Sequence, residues 1–357
     1  IVLAPDSFKG SMTATEVTSY MSYSISEAYP HAEIHALPVG DGGEGTMEAL
    51  VNATNGTFIT VTVTGPLGNQ VTAQYGVLDD NKTCVIEMAE ASGLKHVPEE
   101  KLNPMITTTY GTGELIRDAL DKGYKKFILA IGGSATNDAG AGMLQALGAR
   151  LVNKDLNDIP FGGAALKHVH HIDLKHFDDR IQHCSFVIAT DVKNPLIGQD
   201  GATHVFGKQK GASTSEIVLL EQNLTHWADV VDSTQHIRLH ELAGAGAAGG
   251  LGGAFKAFFP SEFEDGIKVV INHIHLEDYL QDADLVITGE GKIDFQTFYG
   301  KTPIGIAKCA QKFNVPVIFI GGTVDVDIDT FKDVGVVSAF SLTDGPMSLA
   351  HTIANSE

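Results

Sequence analysis

Five apolar stretches of this chain each run into a loop that mixes glycines with acids, lysines or hydroxyls. Ile1–Pro5 runs into Asp6, Ser7, Phe8, Lys9 and Gly10, and His35–Pro38 into Asp41, Gly42, Gly43, Glu44, Gly45 and Thr46. Phe127–Ile131 leads to Gly132, Gly133, Ser134, Ala135, Thr136, Asn137 and Asp138. Val187–Ala189 leads to Thr190 and Asp191, and Leu285–Ile287 to Thr288, Gly289, Glu290, Gly291, Lys292, Ile293 and Asp294. Glycines let backbone N–H groups approach an anion, and carboxylates hold a cation or take a proton. Five such loops read together as one site that handles phosphate.

Each loop suggests a role. Asp6, Ser7 and Lys9 precede a helix, so Lys9 and nearby N–H groups are expected to hold a phosphate or carboxylate. The plainer alternative is a surface loop with N-capping residues. Asp41 with Gly42 and Gly43 reads as an anion cradle, with Asp41 or Glu44 near a metal or a substrate hydroxyl. Gly132, Gly133, Ser134, Thr136, Asn137 and Asp138 form a candidate phosphate loop, with Ser134 and Thr136 as donors. Asp191 leaves an apolar strand where a general base is well placed, and Asn194 follows to orient a ligand. Gln209 and Lys210, between Gly207 and Gly211, are candidates for substrate or nucleotide, Lys210 for phosphate itself. Glu290 and Asp294 are metal or substrate candidates, and Lys301 joins the nucleotide-binding set. The catalytic set is Asp191, Lys9 and Asp41; the metal set is Glu290, Asp294 and Glu44.

Three tempting patterns fail on context. Gly300-Lys301-Thr302 resembles the end of a P-loop, but Phe295 stands where that motif needs glycine. Gly244–Gly249 matches a dinucleotide pattern by letter without a convincing strand before it, and reads as a flexible loop or hinge; Glu262 and Glu264 read as loop. His168, His170, His171, His176 and His183 lack paired-ligand spacing and read as a solvated stretch.

The elements that must carry these loops alternate strand and helix. Thr13 followed by Glu16 is a capping box that opens a helix ending before Pro30. Glu33–Pro38 is then a strand and Gly45–Asn52 a helix, an order that predicts a parallel sheet. Near Gly56 the character changes. Thr57–Thr64, Gln70–Leu78 and Thr83–Met88 alternate in Val, Ile and Thr and read as an antiparallel meander. Helices are expected over Thr112–Lys122, Asn137–Leu147 and Thr214–Val231, with strands at Phe127–Ile131 and Phe186–Ala189. Strands at Asp284–Thr288, Val315–Ile320 and Val336–Phe340 would join the first two in one five-stranded sheet. The expected fold is therefore α/β with two domains: a discontinuous Rossmann-like doubly wound parallel sheet (1–60 and 280–357), interrupted by a second α/β domain (61–279) containing the meander.

Composition bounds the function. With 357 residues, 43% hydrophobic and 19% charged, the chain is a soluble globular protein. Its net charge of −20 argues against a nucleic-acid partner, whose phosphates need a basic face. No apolar run reaches the length of a membrane span. Three widely spaced cysteines, Cys84, Cys184 and Cys309, fit reduced, buried thiols in the cytoplasm. The chain opens in a strand without Met and stops within an apparent helix start, so further residues are expected at both ends.

These loops, in order, resemble the bacterial type I glycerate kinase family across nearly the whole chain. The resemblance rests on Ala4–Gly10, Asp41–Thr46, Gly111–Ile116, Ile131–Asp138, Asp191–Leu196, Phe206–Ala212, Gly244–Gly252 and Ile287–Gly291. Departures are small: Gly40 where the family tends to have Ala, Ala139 where Gly is usual, and Lys208 where Pro is usual. The resemblance implies ATP-dependent phosphorylation of D-glycerate with Mg2+, at the 2-hydroxyl. It also implies a site between two α/β domains, in a monomer or homodimer. Phosphoryl transfer needs positioning and charge neutralisation more than covalent chemistry. The competing expectations are a 3-kinase or a kinase of another small hydroxy acid, an NAD-dependent oxidoreductase resting on Gly244–Gly249, and a non-catalytic anion-binding protein.

Overall fold

The computed structural model describes residues 1–295, 297, 302–343 and 345. Lys301 lies outside the described residues. The chain divides into two compact units, 1–56 with 265–357 and 57–264. The first unit opens with β1 (Val2–Leu3) and β2 (His35–Ala36). The second holds β3 (Thr57–Thr64), β4 (Gln70–Val77), β5 (Thr83–Glu87), β6 (Lys126–Ala130), β7 (Arg150–Val152), β8 (His171–Asp173), β9 (Ser185–Ala189) and β10 (Ser261–Glu264). The chain then returns with β11 (Val286–Ile293), β12 (Val317–Val324) and β13 (Val336–Ser341).

The first unit is a five-stranded sheet in the order β13-β12-β11-β1-β2, parallel throughout. From β1 the chain moves outward to β2; from β11 it moves the opposite way to β12 and β13. The strand order thus reverses between β1 and β11, where ligands settle against the carboxyl ends of an open sheet. Val2 and Leu3 are fully buried, as expected of a strand covered on both faces. The first helix, Ala14–Ala28, has the capping box at its start: Thr13 accepts from the Glu16 amide and Glu16 accepts from the Thr13 amide.

The second unit is a six-stranded mixed sheet in the order β10-β9-β6-β5-β4-β3. β3, β4 and β5 form the antiparallel meander; β5, β6, β9 and β10 run parallel. β7 and β8 pair separately. β5 is buried along its length, whereas β3 at the edge is largely solvated, which suits its threonines. Phe127 on β6 stacks on Phe186 of β9 at 4.7 Å, and Trp227 of the long helix Thr214–Gln235 is fully buried.

Some local expectations are corrected. The helix expected over Asn137–Leu147 spans only Ala141–Ala146. Ala139 (φ 52°) and Gly140 (φ 75°) turn through the left-handed region first, because the Asp138 carboxylate gathers the amides of Gly140 and Gly142. Gly244–Gly253 is packed rather than open: Ala245, Ala247, Gly249 and Gly250 are buried, and the helix Leu251–Phe258 begins within it. Glu262 and Glu264 lie on β10, paired with Val187 and Ala189, rather than in a loop. Cys184 is only half-buried, whereas Cys84 and Cys309 are buried.

Candidate functional site

In the first unit the reversal point of the sheet gathers charge. Asp6 follows β1, and its amide donates to the Gly289 carbonyl of β11 at 2.9 Å. Glu290 is the next residue of β11, so each of these two neighbouring strands carries an acid near the level of the carboxyl end of β1. A Cβ on Gly289 would collide with the backbone carbonyl of Ile320, so only glycine lets β11 and β12 close up here.

Asp6 is 5% exposed. Its carboxylate accepts the Ser7 amide at 2.6 Å and the Thr302 hydroxyl at 2.7 Å. Burial and the nearby Asp41 charge push its pKa up to about 6, against the opposing pull of Thr302, Ser7 and Lys9. Lys9 reaches Asp41 at 3.4 Å while its side chain stays 71% exposed. Asp41 foremost, then Asp6 and Glu290, hold the Lys9 ammonium above its ordinary range. An exposed cation thus sits in the field of three carboxylates. Glu290 also accepts the Thr297 hydroxyl at 2.8 Å.

The remaining first-unit candidates lie around this group. Asp41 accepts the Gly43 amide at 2.9 Å, and the Gly42 amide donates to Thr46 at 3.0 Å. The expected cradle amides are therefore turned onto their own loop, ahead of the helix Thr46–Ala53. Glu44 is exposed on that loop and Ser7 is half-buried. Asp294 is buried and pairs with Lys292 at 3.2 Å. Among the described residues, no three His, Cys, Asp or Glu side chains are grouped to hold a metal ion.

In the second unit the loop after β6 has two faces. Gly132 is half-buried and Gly133 exposed, whereas Ser134, Thr136, Asn137 and Asp138 are buried. Asn137 donates to the Thr203 hydroxyl at 3.0 Å. Asp138 is fully buried and accepts from the Thr109 amide (2.8 Å), the Thr109 hydroxyl (2.9 Å), and the Gly140 and Gly142 amides (both 3.2 Å). Burial raises its pKa, and those four donors oppose the rise. Lys210 is 1% exposed, and its ammonium donates to Ser134 Oγ at 2.8 Å and to the Thr136 carbonyl at 2.6 Å. Its neighbour Gln209 is exposed. Asp191 is exposed just beyond β9; Asn194 donates to the Asp200 carbonyl at 2.8 Å and so braces its own loop.

Two groupings follow. The structure brings Asp6, Lys9, Asp41 and Glu290 into one electrostatic cluster in the first unit, and Ser134, Thr136, Asp138 and Lys210 into one buried network in the second. Sequence reasoning missed Thr302, Thr297 and Thr109, the hydroxyls that hold Asp6, Glu290 and Asp138. Thr302 stood in the rejected Gly300-Lys301-Thr302 string; Thr109, remote from its partner and outside any glycine loop, carried no local signal.

Known proteins share the sequence and the fold of this chain. The sequence profile of the glycerate kinase family matches residues 1–357. The chain is 48% identical over 342 residues to a protein of Escherichia coli (strain K12) named glycerate 2-kinase, covering 96% of this chain and 90% of that one. It is 48% identical over 349 residues to a glycerate kinase of Bacillus subtilis (strain 168), covering 98% and 91%. A crystal structure from Salmonella typhimurium LT2, of a protein named only as a candidate glycerate kinase 2, superimposes with a TM-score of 0.89 at 47% identity, covering 99% of this chain and 93% of that one. No helix among the described residues is long and apolar enough to cross a membrane. Match along the whole length, at this identity and with this fold, leaves one conclusion: the chain belongs to the glycerate kinase family.

Proposed function

We propose that this protein transfers the terminal phosphoryl group of ATP to D-glycerate, at the 2-hydroxyl. The observation that carries the reading is the whole-length likeness to a protein named glycerate 2-kinase. The geometry suits it. Phosphoryl transfer asks for held anions and neutralised charge, and the first unit presents an exposed lysine at a strand-order reversal.

In this reading Lys9 meets the anionic substrate or the transferring phosphoryl group. Asp41 orients Lys9 through their contact and keeps it charged. The loop Gly132–Asn137 offers its half-buried and exposed glycines to phosphate. Asp191 accepts the glycerate proton as its oxygen bonds to phosphorus, with Asn194 fixing the loop that carries it. Mg2+ usually takes one or two carboxylates and completes its shell with water and substrate phosphates, so a three-residue cluster is not required. Glu290 and Asp41, acids in the field of Lys9, fit that donor set; Asp294 is paired with Lys292 and Glu44 is an exposed alternative. When bound, the ion would offset the phosphate charge.

The test is a coupled assay of ADP release over small hydroxy acids, with phosphorus NMR on the product. Glycerate-dependent ADP and 2-phosphoglycerate are expected. No glycerate-dependent ADP would overturn the kinase reading; 3-phosphoglycerate alone would overturn the assignment of the hydroxyl.

A further inference from the structure

Lys210 is the most deeply buried lysine among the described residues, and nothing in the proposed reaction requires it to be so. It ends the short turn Lys208–Lys210, which Gly211 closes at φ 94°, in the left-handed region. A Cβ at Gly211 would run into the backbone of Leu102, so the turn, and with it the root of the lysine side chain, is held tightly. From there the ammonium reaches the inner side of the loop after β6. It donates to Ser134 Oγ and the Thr136 carbonyl. The opposite charge is Asp138, at the far end of the same loop and satisfied by four donors of its own.

The loop is thus gripped from inside by one buried cation and one buried anion, while Gly132 and Gly133 face outward. Ser134 accepts from Lys210, which leaves its own proton for another acceptor. Burial drives the Lys210 ammonium down to about 7, a cost the fold tolerates only with bound partners.

We propose that Lys210 is a positioning residue: it sets the loop Gly132–Asp138 from behind, aims the Ser134 hydroxyl and the Gly132–Gly133 backbone at phosphate, and does not itself touch phosphate. The proposal rests on the kinase reading for its ligand. It assigns to Lys210 a task different from that of Lys9, although both are lysines in glycine-flanked segments.

Amine-selective acetylation of the whole protein, read by mass spectrometry with and without ATP, tests this in the unaltered chain. Lys9 should label readily, and Lys210 should stay unlabelled in both conditions. Labelling of Lys210 in the free protein with protection by ATP would overturn the proposal. A double-mutant cycle gives the second measurement. Lys210→Met should lower kcat/KM for ATP by about 10- to 100-fold, the worth of hydrogen bonds from a charged donor. In a Ser134→Ala background the further loss from Lys210→Met should shrink severalfold, the remainder being the bond to the Thr136 carbonyl that Ser134→Ala leaves in place. Fully multiplicative losses would overturn the proposal. A Lys210→Met chain that does not fold leaves the labelling result to decide. Absence of any glycerate-dependent ADP from the unaltered protein would instead strike the kinase reading, so the two failures are distinguishable.

Discussion

Asp6 should make the protein less stable as the pH rises from acid to mildly alkaline, and Asp6→Asn should abolish that trend. The carboxylate is 5% exposed, and its pKa is pushed from 3.8 up to about 6 by burial and the Asp41 charge. The sign follows from proton binding. Between these two values the folded state holds the proton and the unfolded state does not, so unfolding releases it. The stabilisation is fully present below pH 3.8 and is lost as the pH passes through about 6. A shift of about 2 units corresponds to about 3 kcal/mol, and the part falling between about pH 5 and about pH 8 is about 1.4 kcal/mol.

Asp6→Asn keeps the volume and can still accept from Thr302 or Ser7, but not from both in the present geometry. The lost hydrogen bond costs about 1 kcal/mol at every pH. The difference between variant and parent should therefore grow in the variant's favour by about 1.4 kcal/mol from about pH 5 to about pH 8. The single tryptophan, Trp227, lies in the other unit and is a poor reporter here. Hydrogen exchange of the β1 and β11 amides, measured across that pH range, reports the right region. A difference that stays flat with pH would refute the reasoning, and with it the view that Asp6 resists ionisation.

Other outcomes are equally concrete. Lys9→Ala should lower kcat/KM by about 10- to 100-fold while unfolding stability changes by less than about 0.5 kcal/mol, because an exposed loop lysine packs little. Near-normal turnover would return Lys9 to an ordinary surface charge. Asp191→Asn should cut kcat by a factor on the order of 100 with ATP affinity retained, as expected for a lost proton acceptor; equilibrium ATP binding together with steady-state kinetics separates these, and wild-type kcat would remove Asp191 from the role.

Strands β1, β11 and β12 of the first unit were legible because each opens as an apolar run that meets glycine or acid within a few residues, a pattern that depends on neighbours in sequence. The Thr13–Glu16 capping box was legible for the same reason. The start of the helix Ala141–Ala146 was not. Its onset is set by the Asp138 carboxylate, and the depth of Asp138 is set in turn by Thr109, 29 residues away. Lys210 shows the limit most clearly. In sequence it stands between polar residues and glycines, as a phosphate-binding lysine would, yet its carbonyl partner lies 74 residues away, at Thr136. No local pattern encodes that pairing.

Lys9 and Lys210 therefore separate on one variable that sequence does not carry. Each is a lysine near glycines and within reach of an aspartate's field. Lys9 is exposed and its ammonium is strengthened by Asp41, Asp6 and Glu290. Lys210 is buried and its ammonium is weakened, with Asp138 only partly offsetting the desolvation. A cation that must meet an incoming phosphate has to be charged and reachable; one that must hold a loop has to be shielded from water so that its hydrogen bonds are not exchanged for solvent. Each lysine meets one of these requirements and fails the other, so burial separates two segments that residue type leaves alike.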